Sequence, residues 1–120
     1  MRGYKDLLAY QKSYALAMEI FELSKSFPKE EKYSLTDQIR RSSRSVCANI
    51  GEGFRKRRYP AHFILKLTDS DAENSETQVW LDFSLSCGYI NEIEHTKLSQ
   101  QSDQAGKLLS YMINNHEKFL

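Results

Sequence analysis

A chain of 120 residues with 40% hydrophobic and 28% charged residues has the size and composition of one folded domain, and is too short for two full cores. Five Gly and two Pro are its only strong breakers, whereas an all-β fold needs a turn signal every ~8–12 residues, so the pattern excludes a sandwich or barrel. Seventeen Lys and Arg against 16 Asp and Glu leave a formal charge of +1; bulk attraction to nucleic acid is excluded, and only local clusters can argue for it.

The opening, Met1-Arg2-Gly3-Tyr4-Lys5-Asp6, leads into an amphipathic pattern rather than the apolar run of a secretory leader. No apolar stretch approaches the ~18 residues of a membrane span. Two Cys far apart in sequence fit a reducing compartment. The expectation is a cytoplasmic protein without membrane contact.

Four helical segments follow in order. Residues 6–26 form the first, with Leu7, Tyr10, Tyr14, Ala17, Met18 and Phe21 as the expected buried face and Lys12, Glu19 and Glu22 opposite. Phe27-Pro28 ends it, because the residue before Pro leaves the α region. Residues 34–58 form the second, where Ser34 with Asp37 resembles a capping box. The third begins at Pro60, suited to the first helical position, and runs to Cys87, with Gly88 as a left-handed cap. Asn91 with Glu94 caps the fourth, which runs to the C-terminus on a stripe of Leu98, Ala105, Leu108, Leu109, Met112 and Ile113. Rods of ~30–43 Å joined by short connections pack as neighbours, giving an all-α, antiparallel up-and-down four-helix bundle over residues 1–120.

The second segment sorts into three faces. Leu35, Ile39, Val46, Ile50 and Phe54 form the core face. Arg40, Arg44, Arg55 and Arg58 fall in a stripe ~60° wide, with Cys47 and Gly51 between them. Gln38, Arg41, Ser45, Ala48, Asn49 and Glu52 form a third face, polar and mostly small. Gly51 and Gly53 each cost about 1 kcal/mol relative to Ala in a helix interior. Either the helix kinks there, or the small residues admit another backbone, within the bundle or from a second copy.

Two readings also stand for the basic residues. Arg55, Lys56, Arg57 and Arg58 at the helix end, with Tyr59 beside them, suit phosphates and a stacked base. Alternatively they are a solvated helix end. For Arg40, Arg41 and Arg44 a hairpin turning near Tyr59 offers partners, setting Arg44 near Glu73 and Asn74, Arg41 near Glu76 and Thr77, and Glu52 near Lys66. The polar middle of the third segment, residues 69–76, then reads as the acidic half of an interhelical pairing that fixes register.

Sites for chemistry are sparse. A di-metal carboxylate centre needs two Glu-x-x-His motifs; Glu92-x-x-His95 is the single match and sits at a helix start, while His62 and His116 have no partner at ligand spacing. Cys47 and Cys87 would differ in height by ~24 Å in such a hairpin, too far for a disulfide. There is no phosphate-binding Gly loop and no nucleophile elbow. No cofactor, metal or catalytic residue is expected.

The blocks Gln38-Ile39-Arg40-Arg41 and Ser45-Val46-Cys47-Ala48-Asn49-Ile50-Gly51-Glu52-Gly53 resemble the four-helix-bundle proteins encoded in bacterial 23S rRNA intervening sequences. Phe27-Pro28, Glu76 followed by Trp80-Leu81, and Gly88-Tyr89-Ile90 agree, so the resemblance spans essentially the whole chain. One departure is Ala72-Glu73, where the family often carries Gly-Ser. The resemblance implies a homopentameric ring and kinship with the accessory protein of diversity-generating retroelements, which binds nucleic acid and a reverse transcriptase. Two function classes follow: an oligomeric accessory protein binding RNA or DNA through residues 55–59, or a structural scaffold whose partner is another protein. In both, Gln38, Arg41, Ser45, Asn49, Glu52, Gly53 and Glu76 are expected to serve structure and assembly, with Asn49 and Glu52 bonding across helices.

Overall fold

The computed structural model describes residues 3–120; Met1 and Arg2, part of the opening read above, lie outside the described residues. Four α-helices are present: α1 (Leu8–Ser24), α2 (Leu35–Arg55), α3 (Pro60–Ser86) and α4 (Glu92–Asn114). Short 3-10 turns occupy Tyr4–Asp6, Lys29–Glu31 and His116–Phe119, and no strand occurs among the described residues. Every neighbouring pair in chain order is in contact and α1 also meets α4, while the backbones of the diagonal pairs α1–α3 and α2–α4 stay apart. The helices thus occupy the corners of a square in a body of 44 × 25 × 21 Å.

The ends are set by local chemistry. Asn91 accepts from the Glu94 amide at 2.8 Å and the Glu94 carboxylate accepts from the Asn91 amide at 3.0 Å, so the reciprocal cap of α4 forms as expected. Pro60 opens α3, and Gly88 follows its end at φ 76°, the left-handed region where only a missing Cβ avoids strain. At α2 the expected Ser34–Asp37 box is absent: Ser34 makes no cap bond, and the Glu31 carboxylate instead accepts from the Leu35 amide and the Ser34 hydroxyl. A carboxylate from the preceding turn satisfies the helix start as well as a serine does. The fourth α-helix stops at Asn114, and a 3-10 turn at His116–Phe119 takes the place of its expected last residues.

The core has two apolar ends and a polar middle. Leu7, Ala9, Val46, Ile50, Phe54, Phe63, Leu67, Leu109 and Met112 gather at one end. Leu16, Ile20, Phe27, Leu35, Ile39, Leu81, Ile90 and Leu98 gather at the other. Between them several buried polar side chains find partners, whereas the Ser13 and Thr36 hydroxyls and the Gln101 side-chain oxygen are buried without one. Ser42 and Thr77 hydroxyls meet at 2.9 Å; Ser70 donates to the Val46 carbonyl at 2.8 Å; Asn74 donates to the Ser102 carbonyl and accepts from its hydroxyl. The polar middle of α3 therefore ties α2 and α4 together at fixed heights.

The predicted buried face of the first helix needs correction. Tyr14 and Met18 are exposed and Tyr10 and Phe21 half-buried, whereas Ala9, Ser13, Leu16, Ile20 and Ser24 face inward with Ala17. Close packing at the polar layer selects small residues, so the large side chains that dominate the sequence pattern lie toward the rim and outside. The core face of α2, by contrast, is buried as predicted.

Candidate functional site

Arg40, Arg41 and Arg44 occupy the middle of α2, and their surroundings consume most of their donors. Arg41 donates to Glu73 at 2.9 Å, to Glu76, and at 3.2 Å to Gln38. Trp80 donates its indole N–H to the same Glu76 oxygen at 3.0 Å. This indole bond, then Arg41, hold the Glu76 carboxyl below its ordinary pKa against a burial effect of opposite sign. The Gln38-x-x-Arg41 spacing is thus one turn of helix that aims a guanidinium at two acids of α3.

Two expected pairings do not form. Arg44 is not beside Glu73 and Asn74; it lies over the Phe21 ring of α1, 5.6 Å from its centre. Arg41 already occupies Glu73, and the position three residues on turns toward α1 instead. Arg40 also makes no ion pair among the described residues: it donates to the Ser24 hydroxyl at 2.7 Å and the Phe21 carbonyl at 3.4 Å, closing the end of α1. Both guanidiniums rest on the Phe21 face.

Farther along, Glu52 reaches Lys66 at 2.8 Å, as the hairpin geometry requires, but it is an exposed side chain. Asn49 does not bond across helices. Its amide donates to the Ser45 carbonyl at 2.9 Å and hydroxyl at 3.2 Å, one turn back in the same helix, because a short amide satisfies itself locally. A Cβ on Gly53 would stand 2.9 Å from the Lys66 Cβ, so the small residue admits the backbone of α3. Helix α2 is continuous through Gly51 and Gly53; the close approach is at Gly53, whereas a Cβ on Gly51 would meet only the Tyr4 ring at an ordinary 3.7 Å.

Residues 55–59 lie at the far end, where α2 gives way to α3. Arg55, Lys56, Arg58 and Tyr59 are exposed, and none of the three cations has an acidic partner among the described residues. The negative end of the α2 dipole favours cations here, and α3 opens beside them without an acid in its first turn. Arg55 and Arg58 line a groove of about 350 Å³ with Gly3, Tyr4, Phe54 and Arg57. Tyr59 packs obliquely against His62, ring centres 5.8 Å apart, placing an exposed imidazole in the same corner. Sequence spacing treated His62 as an isolated rim residue; its position two residues into α3 was the available signal.

Arg57 differs from its neighbours. Its guanidinium lies 3.5 Å from the centre of the Phe54 ring, donates to the Phe54 carbonyl at 2.8 Å, and donates to the Phe119 carbonyl at 2.9 Å. It clamps the C-terminal turn onto α2. Nothing in the sequence marked Phe119 as its partner, 62 residues away.

The remaining titratable groups are dispersed. Among the described residues no group of three or more His, Cys, Asp or Glu side chains is gathered as a metal ion requires. His95 pairs with Asp82 at 2.8 Å. Cys47 is buried and Cys87 exposed, both free, and burial pushes the Cys47 thiol up to about 11. No helix is long and apolar enough to cross a membrane, among the described residues.

With the geometry in place, comparison with known proteins identifies the chain's relatives. A crystal structure of a protein of unknown function from the S23 ribosomal protein family of Bacteroides thetaiotaomicron matches with a TM-score of 0.82 and 31% identity, covering 92% of this chain and 99% of that one. No curated protein matches. The family model for the 23S rRNA-intervening sequence protein matches residues 5–111. The Gln38–Arg41–Glu76 cluster, the Gly53 approach and the Trp80 bond all lie within that match, and the chain belongs to the 23S rRNA-intervening sequence protein family.

Proposed function

We propose that this protein is a non-catalytic, self-associating, antiparallel up-and-down four-helix bundle of the cytosol that binds RNA or DNA through phosphates at the α2–α3 corner. The observation that carries the reading is the contrast in donor use along α2 and just past its end: Arg40 and Arg41 spend their donors within the chain, while Arg55, Lys56 and Arg58 have no acidic partner among the described residues. Three unpaired cations close together repel one another, and a polyanion relieves that repulsion. Tyr59 and His62 add exposed rings on which an unpaired base stacks. In the homopentamer that the resemblance implies, each weak corner is repeated and binding gains by avidity.

The test is a titration of single-stranded RNA and DNA at two salt concentrations, using wild type and the Arg55→Gln/Lys56→Gln/Arg58→Gln variant. Arg57 stays untouched because it holds the fold. Binding should weaken on the order of tenfold or more across all sequences, and the salt slope should fall by ~0.7–0.9 for each phosphate no longer neutralised. Indistinguishable titrations would leave the corner as a solvated helix end. The second reading, a scaffold that meets other proteins, would then stand, supported by exposed Leu65, Val79 and Phe83 on α3.

A further inference from the structure

The first half of α2 lines an open groove that the reading above does not use. Its volume is about 650 Å³, against about 350 Å³ for the groove beside Arg55 and Arg58, which is the size of a small-ligand site. Thr36, Arg40 and Arg44 line it at steps of four along one side of α2, and Lys32 and Tyr33 of the preceding turn line its end. Arg44 lies ~16 Å along the helix from Arg55, so this groove and the α2–α3 corner are separate places.

The polar groups around the groove are incompletely used. Arg44 is exposed and has no acidic partner among the described residues. Its contact with Phe21 is to a ring rather than to an acceptor atom, so its N–H donors still lack an oxygen. Lys32, also exposed and without an acid, lies over the Tyr33 ring at 5.3 Å. Arg40 bonds to Ser24 and Phe21 through Nε and one Nη, which leaves the other Nη for a ligand. Arg41 reaches the same groove, but Glu73 and Glu76 neutralise it. Against these cations the groove wall carries a single acid of its own, exposed Asp37. Thr36 is 7% exposed and its hydroxyl is buried without a partner, a deficit that a ligand oxygen would relieve. Tyr33 is 85% exposed, so a free aromatic face stands at the groove's end.

We infer that this groove binds a small ligand of the nucleoside diphosphate class, with its phosphates on Arg44, Arg40 and Lys32 and its base against Tyr33. Planar guanidinium forks match phosphate oxygens, and each such bond is charge-assisted. A ligand with two phosphate groups suits several cations that one carboxylate cannot balance. Tyr33 gives the uncharged end of the ligand a ring on which to stack. The inference goes beyond the reading above and requires neither the cationic corner nor self-association.

Calorimetric titration of the full chain with ADP, inorganic phosphate and adenosine tests it. ADP should bind, phosphate should bind more weakly, and adenosine should give no heat. Arg44→Gln and Lys32→Gln should each weaken ADP about tenfold or more, as expected for one lost charge-assisted bond. Both residues are exposed, so the melting temperature should be retained. Lys32 lies outside every helix and keeps the test valid if Arg44→Gln disturbs the contact with Phe21. Tyr33→Ala should weaken ADP and leave phosphate unchanged, whereas Asp37→Asn should tighten both. The Arg55→Gln/Lys56→Gln/Arg58→Gln variant should bind ADP as wild type does. No ADP binding at millimolar concentration overturns the site, as does an ADP affinity unchanged in both Arg44→Gln and Lys32→Gln. Adenosine that binds as tightly as ADP overturns the phosphate contacts. Single-stranded RNA that displaces ADP from the corner variant overturns the small-ligand assignment and makes the groove a strand-binding surface. Loss of RNA binding at the corner leaves all of these outcomes untouched, so the two readings fail separately.

Discussion

The middle and the end of α2 carry nearly equal numbers of basic residues, yet their charges are in different chemical states. In the middle, Arg41 meets two acids of α3 and Arg40 meets the carbonyl end of α1. At the end, α2 emerges from between its neighbours, and Arg55, Lys56 and Arg58 find nothing of opposite sign among the described residues. The lesson is that a basic cluster is left without an internal acceptor only where the neighbouring elements supply none at the same height. Arg57 sharpens it: within the cluster of four, one member is consumed by a carbonyl of the C-terminal turn.

The comparison breaks most visibly if the middle arginines are removed. Arg41→Ala leaves Glu73 and Glu76 without their guanidinium, both more than half shielded by α2 and Trp80. An expected loss of about 1–2 kcal/mol in chemical denaturation allows for solvent screening of the half-exposed arginine. Nucleic-acid binding should be unchanged. The same cluster sets acid sensitivity. Glu76, held down by Trp80 and Arg41, and Glu31, held down by Ser34 and Tyr89, have folded pKa values below 4.5. The unfolded state therefore binds more protons in acid, so their contribution is complete above about pH 4.5 and is lost as pH falls through the lower folded values. Thermal melts from pH 6 to pH 3 should show that slope in wild type and a shallower one in Glu76→Gln. Equal slopes would place the carboxylate outside the stabilising network.

Much of this organisation was legible in the sequence. Period and breakers gave four helices, and Pro60, Gly88 and Asn91 with Glu94 set their ends because caps are local chemistry. Arg41 with Glu76 and Glu52 with Lys66 followed from equal distance to the α2–α3 turn. What failed depended on rotation about a helix axis rather than height along it. Arg44 was expected beside Glu73 but lies over Phe21 of α1, and Arg41 takes Glu73. The α1 face failed for a related reason: with apolar residues on two sides, the large ones dominate the pattern, and small Ala9 and Ser13 at the true interface carry little signal. For the candidate site, exposure of Arg55, Lys56 and Arg58 followed from their place at a helix end. The role of Arg57 depended on where a distant terminus folds back, which no local pattern encodes.

Arg57 supplies the next smaller effect. Arg57→Ala removes the stack on Phe54 and two charge-assisted hydrogen bonds to carbonyls, in a half-buried setting. About 1 kcal/mol of stability should be lost, with faster amide exchange at the C-terminal turn His116–Phe119. Arg57→Lys should not restore it, since a compact ammonium cannot stack and donate in two directions at once. Binding of RNA or DNA should keep the wild-type salt slope, in contrast to the Arg55, Lys56 and Arg58 variant. A slope that falls by about one would show instead that Arg57 leaves Phe119 to meet a phosphate.

The smallest effect belongs to Glu52, and it tests the boundary between the two regions. Its place on the polar, mostly small face of the second segment suggests a structural carboxylate bonding across helices, whose removal would be costly. The geometry says otherwise: the side chain is 58% exposed, and its ion pair with Lys66 forms at the surface. Exposed pairs contribute little because water screens them and both long side chains must be ordered. Glu52→Ala should therefore change stability by less than about 0.5 kcal/mol in denaturant titration. It should also raise affinity for RNA or DNA slightly at low salt, since it removes an acid one turn from Arg55 and frees the ammonium of Lys66. At high salt that gain should vanish. A loss of stability above about 1 kcal/mol would mean that the carboxylate is buried in the assembled protein, moving Glu52 from the surface of one copy to the contact between copies.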